Sequence, residues 1–149
     1  MRIEETLYTK KIIIESEDPY GFALELMNFM SRTGKVIERE NKYETDGPAR
    51  RITLKFVLEE QMDNVSSSVA EFSVSGGTNG VNYLEIRITG NFYANIETAG
   101  CFTEAFVDYY TKHAMPRNLR QADRKFKDVD KSAMEFIDQA RKIKKHVRH

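Results

Sequence analysis

Nucleophilic catalysis requires a cysteine or serine set near a histidine that an acid orients. The chain supplies little of this material: one cysteine, Cys101, and three histidines, His113, His146 and His149. Cys101 falls in an expected helix start, where the helix dipole would lower a thiol pKa, but Gly100 and Phe102 beside it read as packing and favour a small buried hydrophobe. His146 and His149 have the i, i+3 spacing of a helix-borne metal pair, yet two ligands at a chain end make a weak site, and no metal is assigned. The run Gly76-Gly77-Thr78-Asn79-Gly80 offers amides that can cradle an anion. It lacks the Lys-Ser/Thr ending of a P-loop and joins two expected strands, so it reads as a turn. Adjacent acids such as Glu4-Glu5 and Glu59-Glu60 point to opposite faces of a strand and not across a substrate. No catalytic residue and no cofactor follows from these residues, and a non-enzymatic role is the expectation.

The elements that would position any site are clearer. Leu7, Ile12, Ile13 and Ile14 mark a strand over 5–15, and Ser16-Glu17-Asp18-Pro19 supplies a helix start with Asp18 as cap and Pro19 at the first helical position. That helix runs to about Thr33 and stops at Gly34. Period-two alternation then predicts a hairpin of strands 35–44 and 50–59 around Thr45-Asp46-Gly47-Pro48, with Ile52, Leu54, Phe56 and Leu58 on one face. Residues 60–68 read as an irregular connection or short helix. A second hairpin, 69–75 and 81–89, sets Ala70, Phe72 and Val74 beside Leu84, Ile86 and Ile88, while Glu71, Glu85 and Arg87 lie opposite. A helix is expected from about Glu97 to a break at Met115-Pro116. The fold class is therefore α+β: an antiparallel sheet of about five strands in the order β-α-β-β-β-β-α-α, helices on one face, and a long C-terminal amphipathic helix. Residues 1–115 form the body, and 116–149 form a helical extension of the same domain.

That last helix carries an apolar seam at spacings of three and four: Leu119, Ala122, Phe126, Val129, Ala133, Phe136, Ala140, Ile143 and Val147. In heptad terms these fill positions a and d, with Ile137 at e widening the stripe. From Arg117 to Val147 the helix would measure roughly 46 Å against about 35 Å for a globular body, so it is expected to outrun the domain that carries it. Self-association, most simply as a dimer, or docking on a protein partner follows as the first functional expectation. The chain reads as a scaffold or adaptor whose interface is the seam. Packing of the same seam across the chain's own sheet is the alternative placement.

A curved antiparallel sheet closed by a long C-terminal helix is similar in plan to helix-grip proteins, which enclose apolar ligands between helix and sheet. With nine Phe and seven Tyr, the chain could line such a pocket through Phe56, Phe72, Tyr83, Ile86, Phe102, Phe106 and Tyr109. A small-molecule binder is thus the second expectation. Charge supplies a third. Net charge is zero, but residues 1–110 hold 11 basic and 18 acidic side chains while 111–149 hold 12 basic and 5 acidic. A basic tail can attract phosphate without reading sequence, so weak non-specific nucleic-acid binding is the least favoured use. With 40% apolar and 31% charged residues, one cysteine and no apolar leader, the expectation is a folded cytoplasmic domain with no disulfide framework and no membrane span.

Overall fold

The computed structural model describes residues 2–79, 81–96 and 103–147. Its centre is a five-stranded antiparallel sheet of order β1-β5-β4-β3-β2, built from β1 (Arg2–Glu15), β2 (Val36–Asp46), β3 (Ala49–Gln61), β4 (Ser66–Asn79) and β5 (Val81–Asn95). The alternation works as expected. Leu54, Phe56, Phe72, Val74, Leu84 and Ile86 are fully buried on one face, and Lys55, Glu71, Glu85 and Arg87 occupy the other. Helix α1 (Pro19–Met30) and the C-terminal helix α3 (Met115–Val147) both pack on the apolar face. This is the expected α+β architecture.

Local chemistry accounts for the turns. Asp18 Oδ1 accepts the Gly21 N–H at 3.1 Å, and Pro19 opens α1 where a missing N–H costs nothing. The β2–β3 turn places Gly47 at φ 60°, between the paired residues Asp46 and Ala49, as a two-residue hairpin loop with Gly first demands. Both edge strands carry a register shift, between Thr6 and Tyr8 in β1 and between Glu38 and Glu40 in β2. Such bulges bend an edge and discourage pairing with another chain.

Three expectations are corrected. Residues 60–68 are not an irregular connection, because β3 runs to Gln61, β4 begins at Ser66, and only a tight turn anchored by Asp63 separates them. The glycines at 76 and 77 are not loop residues. Gly76 pairs with Leu84 inside the ladder, and a Cβ there would fall 2.3 Å from the Tyr83 carbonyl oxygen, so the absence of a side chain is what the strand needs. Pro116 does not break the chain. Helix α2 (Thr103–Tyr109) passes through a π turn (Tyr110–Ala114) directly into α3, with the Met115 N–H donating to the Tyr110 carbonyl. The widened turn lies just ahead of Pro116, where the proline ring would otherwise press on the carbonyl four residues earlier.

The long helix also finds a long floor. Strands of 13 to 15 residues reach up to about 50 Å, comparable with the 33-residue α3, so the body is longer than a globule of its mass suggests. Ala122, Phe126, Val129, Ala133 and Ile137 are each no more than 3% exposed. The buried line thus leaves the heptad positions and passes from Ala133 to Ile137, while Phe136 stays half-buried against Phe22 and Phe29. A straight helix of 3.6 residues per turn drifts ahead of a 3.5 repeat, and a flat sheet accepts that drift where a coiled-coil partner would not.

Phe126 lies directly over Gly90 of β5, where an added Cβ would come within 2.4 to 2.8 Å of the phenyl ring. Gly90→Ala is expected to destabilise the fold by about 1–3 kcal/mol in denaturant melts, and Phe126→Leu in the same chain should recover part of that loss. An unchanged midpoint for Gly90→Ala would show that α3 does not sit this close to the sheet.

Candidate functional site

Small and polar residues at core-facing positions of a strand leave room above the sheet. In β4 the inward positions read Ser66, Ser68 and Ala70 before turning bulky at Phe72 and Val74. Above that small-residue end, α3 passes alone, because α1 has already ended and its following turn stops at Thr33. A groove of about 520 Å³ results, bounded by Thr33, the β3 end at Glu60–Met62, Ser68 and one flank of α3.

The groove is chemically mixed. Met62, Ala122 and Val129 supply apolar wall, while Ser68, Gln121 and Ser132 supply hydrogen-bonding groups. Glu60 and Lys125 form an ion pair across its mouth, with Arg124 and Asp128 alongside. Burial holds the Lys125 ammonium below the usual lysine value. A cavity of this volume falls in the range that holds small organic ligands, with polar groups placed to fix orientation.

Two polar clusters fasten the elements around it. Asn118, 3% exposed, donates from Nδ2 to Asp63 Oδ2 at 2.7 Å and lies 3.2 Å from Ser66 Oγ and 3.3 Å from Tyr110 Oη. Asp63 Oδ1 in turn accepts from the Val65 and Ser66 N–H groups and the Ser66 hydroxyl. Burial pushes the Asp63 carboxyl up, but these donors together outweigh it and hold the group below the ordinary carboxylate range. On the other flank, Lys10 of β1 meets Asp130 of α3 at 3.2 Å. Burial, with Asp130 adjacent, pushes the Tyr8 hydroxyl up to about 12. Both clusters tie α3 to the sheet and leave its groove-facing flank to other work.

The residues expected to form a pocket are not brought together. Phe56 and Phe72 are fully buried and stacked at 4.7 Å between centroids, and Ile86 is fully buried beside them, so they fill the core. Tyr83 is 48% exposed on the opposite face of the sheet. Phe106 and Tyr109 are exposed on α2, where Tyr109 lies against His113 at 5.1 Å. Phe102 lies outside the described residues, as do Cys101 and His149. Of the seam, Ala122, Phe126, Val129 and Ala133 face the chain's own sheet, Leu119, Phe136 and Ala140 are half-buried, and the side chains of Ile143 and Val147 lie outside those described. The groove residues Ser68 and Ser132 were not singled out from sequence. The signal for Ser68, a serine at an inward position of an otherwise apolar strand face, shows only once β4 is seen to begin at Ser66. Among the described residues no three His, Cys, Asp or Glu side chains gather as a metal site, and no helix is long and apolar enough to cross a membrane.

No protein-family model and no curated protein matches the chain. Among solved structures it is similar to a hypothetical protein from Helicobacter pylori, at 12% identity and a TM-score of 0.29 over 79% of this chain and 83% of that one. An uncharacterised protein from Rhizobium leguminosarum gives 8% identity and a TM-score of 0.28 over 91% and 99%. Ara h 8.0201 gives 13% identity and a TM-score of 0.24 over 86% and 98%. Scores this low bear on neither fold nor function.

Asn118→Ala leaves the Asp63 carboxylate short of one donor and should cost about 1–3 kcal/mol at neutral pH. Because the folded Asp63 pKa lies below its unfolded value, its contribution is present above the unfolded pKa and lost as pH falls through the folded one. The gap between wild type and variant in urea melts should therefore narrow on acidification below about pH 4. A gap that is constant with pH would mean that Asn118 does not support the ionised form.

Proposed function

We propose that the protein is a small-molecule binding module whose ligand lies in the groove between α3 and the β3–β4 end of the sheet. The observation that carries this reading is the groove itself, about 520 Å³ in volume and lined by both apolar wall and hydrogen-bonding side chains. The ligand that suits it is amphipathic, with an apolar body against Met62, Ala122 and Val129 and a polar end among Ser68, Gln121 and Ser132. The Glu60–Lys125 pair and Arg124 would orient a charged group at the mouth. This keeps the helix-over-sheet plan of the binder expectation but moves the site from the aromatic core to its flank.

A second reading, self-association through α3, is favoured by one observation. Among the described side chains the buried line along α3 reaches Ile137 and Ala140 is half-buried, and the helix continues to Val147, with Ile143 and Val147 next in the sequence pattern.

Gently purified protein should show, in native mass spectrometry, the added mass of a small organic molecule. Ser132→Trp, which fills the groove from a half-buried position, should lose that mass and remain folded. A ligand present at a hundred times its Kd stabilises by about 2.7 kcal/mol, a rise of roughly 5–10 °C in Tm for a chain of this size. Bare protein, with no thermal shift from a panel of amphipathic carboxylates and amines, would overturn the binding reading.

A further inference from the structure

A second groove, of about 390 Å³, opens where the N-terminal turn of α1 meets α3. Its floor is apolar: Phe22 and Phe136, 5.4 Å apart between ring centroids, continue into Ala140. Its rim is acidic, with Glu17, Asp18 and Glu25 all contributing. Residues 141–149 have the opposite character, holding Arg141, Lys142, Lys144, Lys145 and Arg148 with no acid, and Ile143 and Val147 one helical turn apart.

We infer that this groove receives the C-terminal turns of α3 from a second copy of the chain, in an antiparallel twofold dimer. The inference rests on the self-association reading and names its surface. The helix that lines the groove through Phe136, Gln139 and Ala140 continues as helix to Val147, so its backbone runs on past the groove, and the matching turns of a second copy carry the basic and apolar residues that complement it. Antiparallel crossing of two helices near Ala140, a small residue, lets each tail lie over the other's acidic rim, and the twofold axis makes both contacts with one surface. The apolar floor gives Ile143 and Val147 a partner, and the opposed charges fix the direction of approach. An acidic body and a basic tail on one chain are complementary in this arrangement for the same reason.

The test is sedimentation velocity on the full chain at low and high salt, with circular dichroism to confirm folding. Wild type should dimerise, and salt should weaken the dimer. Glu25→Lys, at an exposed position of α1, should raise the dimer Kd roughly tenfold, as should Lys142→Glu with Lys145→Glu. Combining the two sets should restore much of the affinity. A folded wild type that stays monomeric at every concentration overturns both this inference and the self-association reading. A dimer indifferent to both charge reversals leaves self-association standing and overturns docking in this groove.

Discussion

The architecture depends on how closely α3 can approach the sheet, and that distance is set where Phe126 meets Gly90. A helix axis normally rests about 10 Å from the layer it packs on, with ordinary side chains filling the space between. Here the strand beneath the phenyl ring has no side chain, and Ala70 of the neighbouring strand is opposite Gly90 in the ladder. The ring therefore enters the sheet layer instead of resting on it. Ala122 and Ala133, on the buried line to either side, let the helix backbone follow. A closer helix strengthens dispersion contacts along its buried line, and Phe126, Val129 and Ile137 each contribute about 1.5–3 kcal/mol by burial. It also brings Lys10 within reach of Asp130, and Asn118 within reach of Asp63, at the two flanks.

The same arrangement explains why open grooves remain. Five strands spread over roughly 20 Å, and one helix with its side chains covers about 10 Å of that width. Two helices side by side close the face, but α1 has 12 residues and extends about 18 Å along strands that run up to about 50 Å. Beyond its end at Met30 no other described element lies beside α3 over β3 and β4. The small residues Ser66, Ser68 and Ala70 deepen the gap. At the other end of α1, where its first turn diverges from α3 around Phe136, the second groove opens. Each groove marks an end of a helix too short for its sheet.

Much of the fold was legible because alternation and capping are local. The strand faces, the Asp18–Pro19 helix start, the Asp46–Gly47–Pro48 turn and the order of elements all follow from spacings within a few residues. What could not be read depends on distance. Sequence shows that Gly76 and Gly77 permit a turn, whereas inside the strand Gly76 faces the Tyr83 carbonyl of β5 and Gly77 the Arg50 carbonyl of β3, neighbours that only the fold supplies. Pro116 reads as a stop until the π turn ahead of it supplies the needed clearance. The seam reads as a heptad because nine residues match it, and its conversion to a sheet-facing line depends on strands longer than a globule of this mass would have. Of the candidate site, Ser68 was hidden because the sequence pattern starts its strand at Val69, and only the observed β4 puts this serine on the apolar face. The α3 flank at Gln121, Lys125 and Ser132 was hidden too, since solvated and groove-facing polar positions on a helix have the same appearance in sequence.

Charge divides along the same line as packing. The strands and α1 hold most of the acids, and α3 has more bases than acids, but the helix is nearly balanced as far as Ala140. Over 115–140 it carries Arg117, Arg120, Arg124, Lys125, Lys127 and Lys131 against Asp123, Asp128, Asp130, Glu135 and Asp138, and the unopposed cations all lie in 141–149. Asp130 and Lys125 are spent on Lys10 and Glu60, and Lys127 is paired with Asp123 one turn earlier. Arg117, Arg120, Arg124, Lys127 and Lys131 recur at spacings of three and four on one exposed face of α3, with Asp123 and Asp128 flanking them, so the described helix offers a short basic stripe bordered by acids. The concentrated charge beyond Ala140 is a short, local feature with apolar residues interleaved. A short acidic-rimmed, apolar-floored groove complements it better than a long uniform polyanion does.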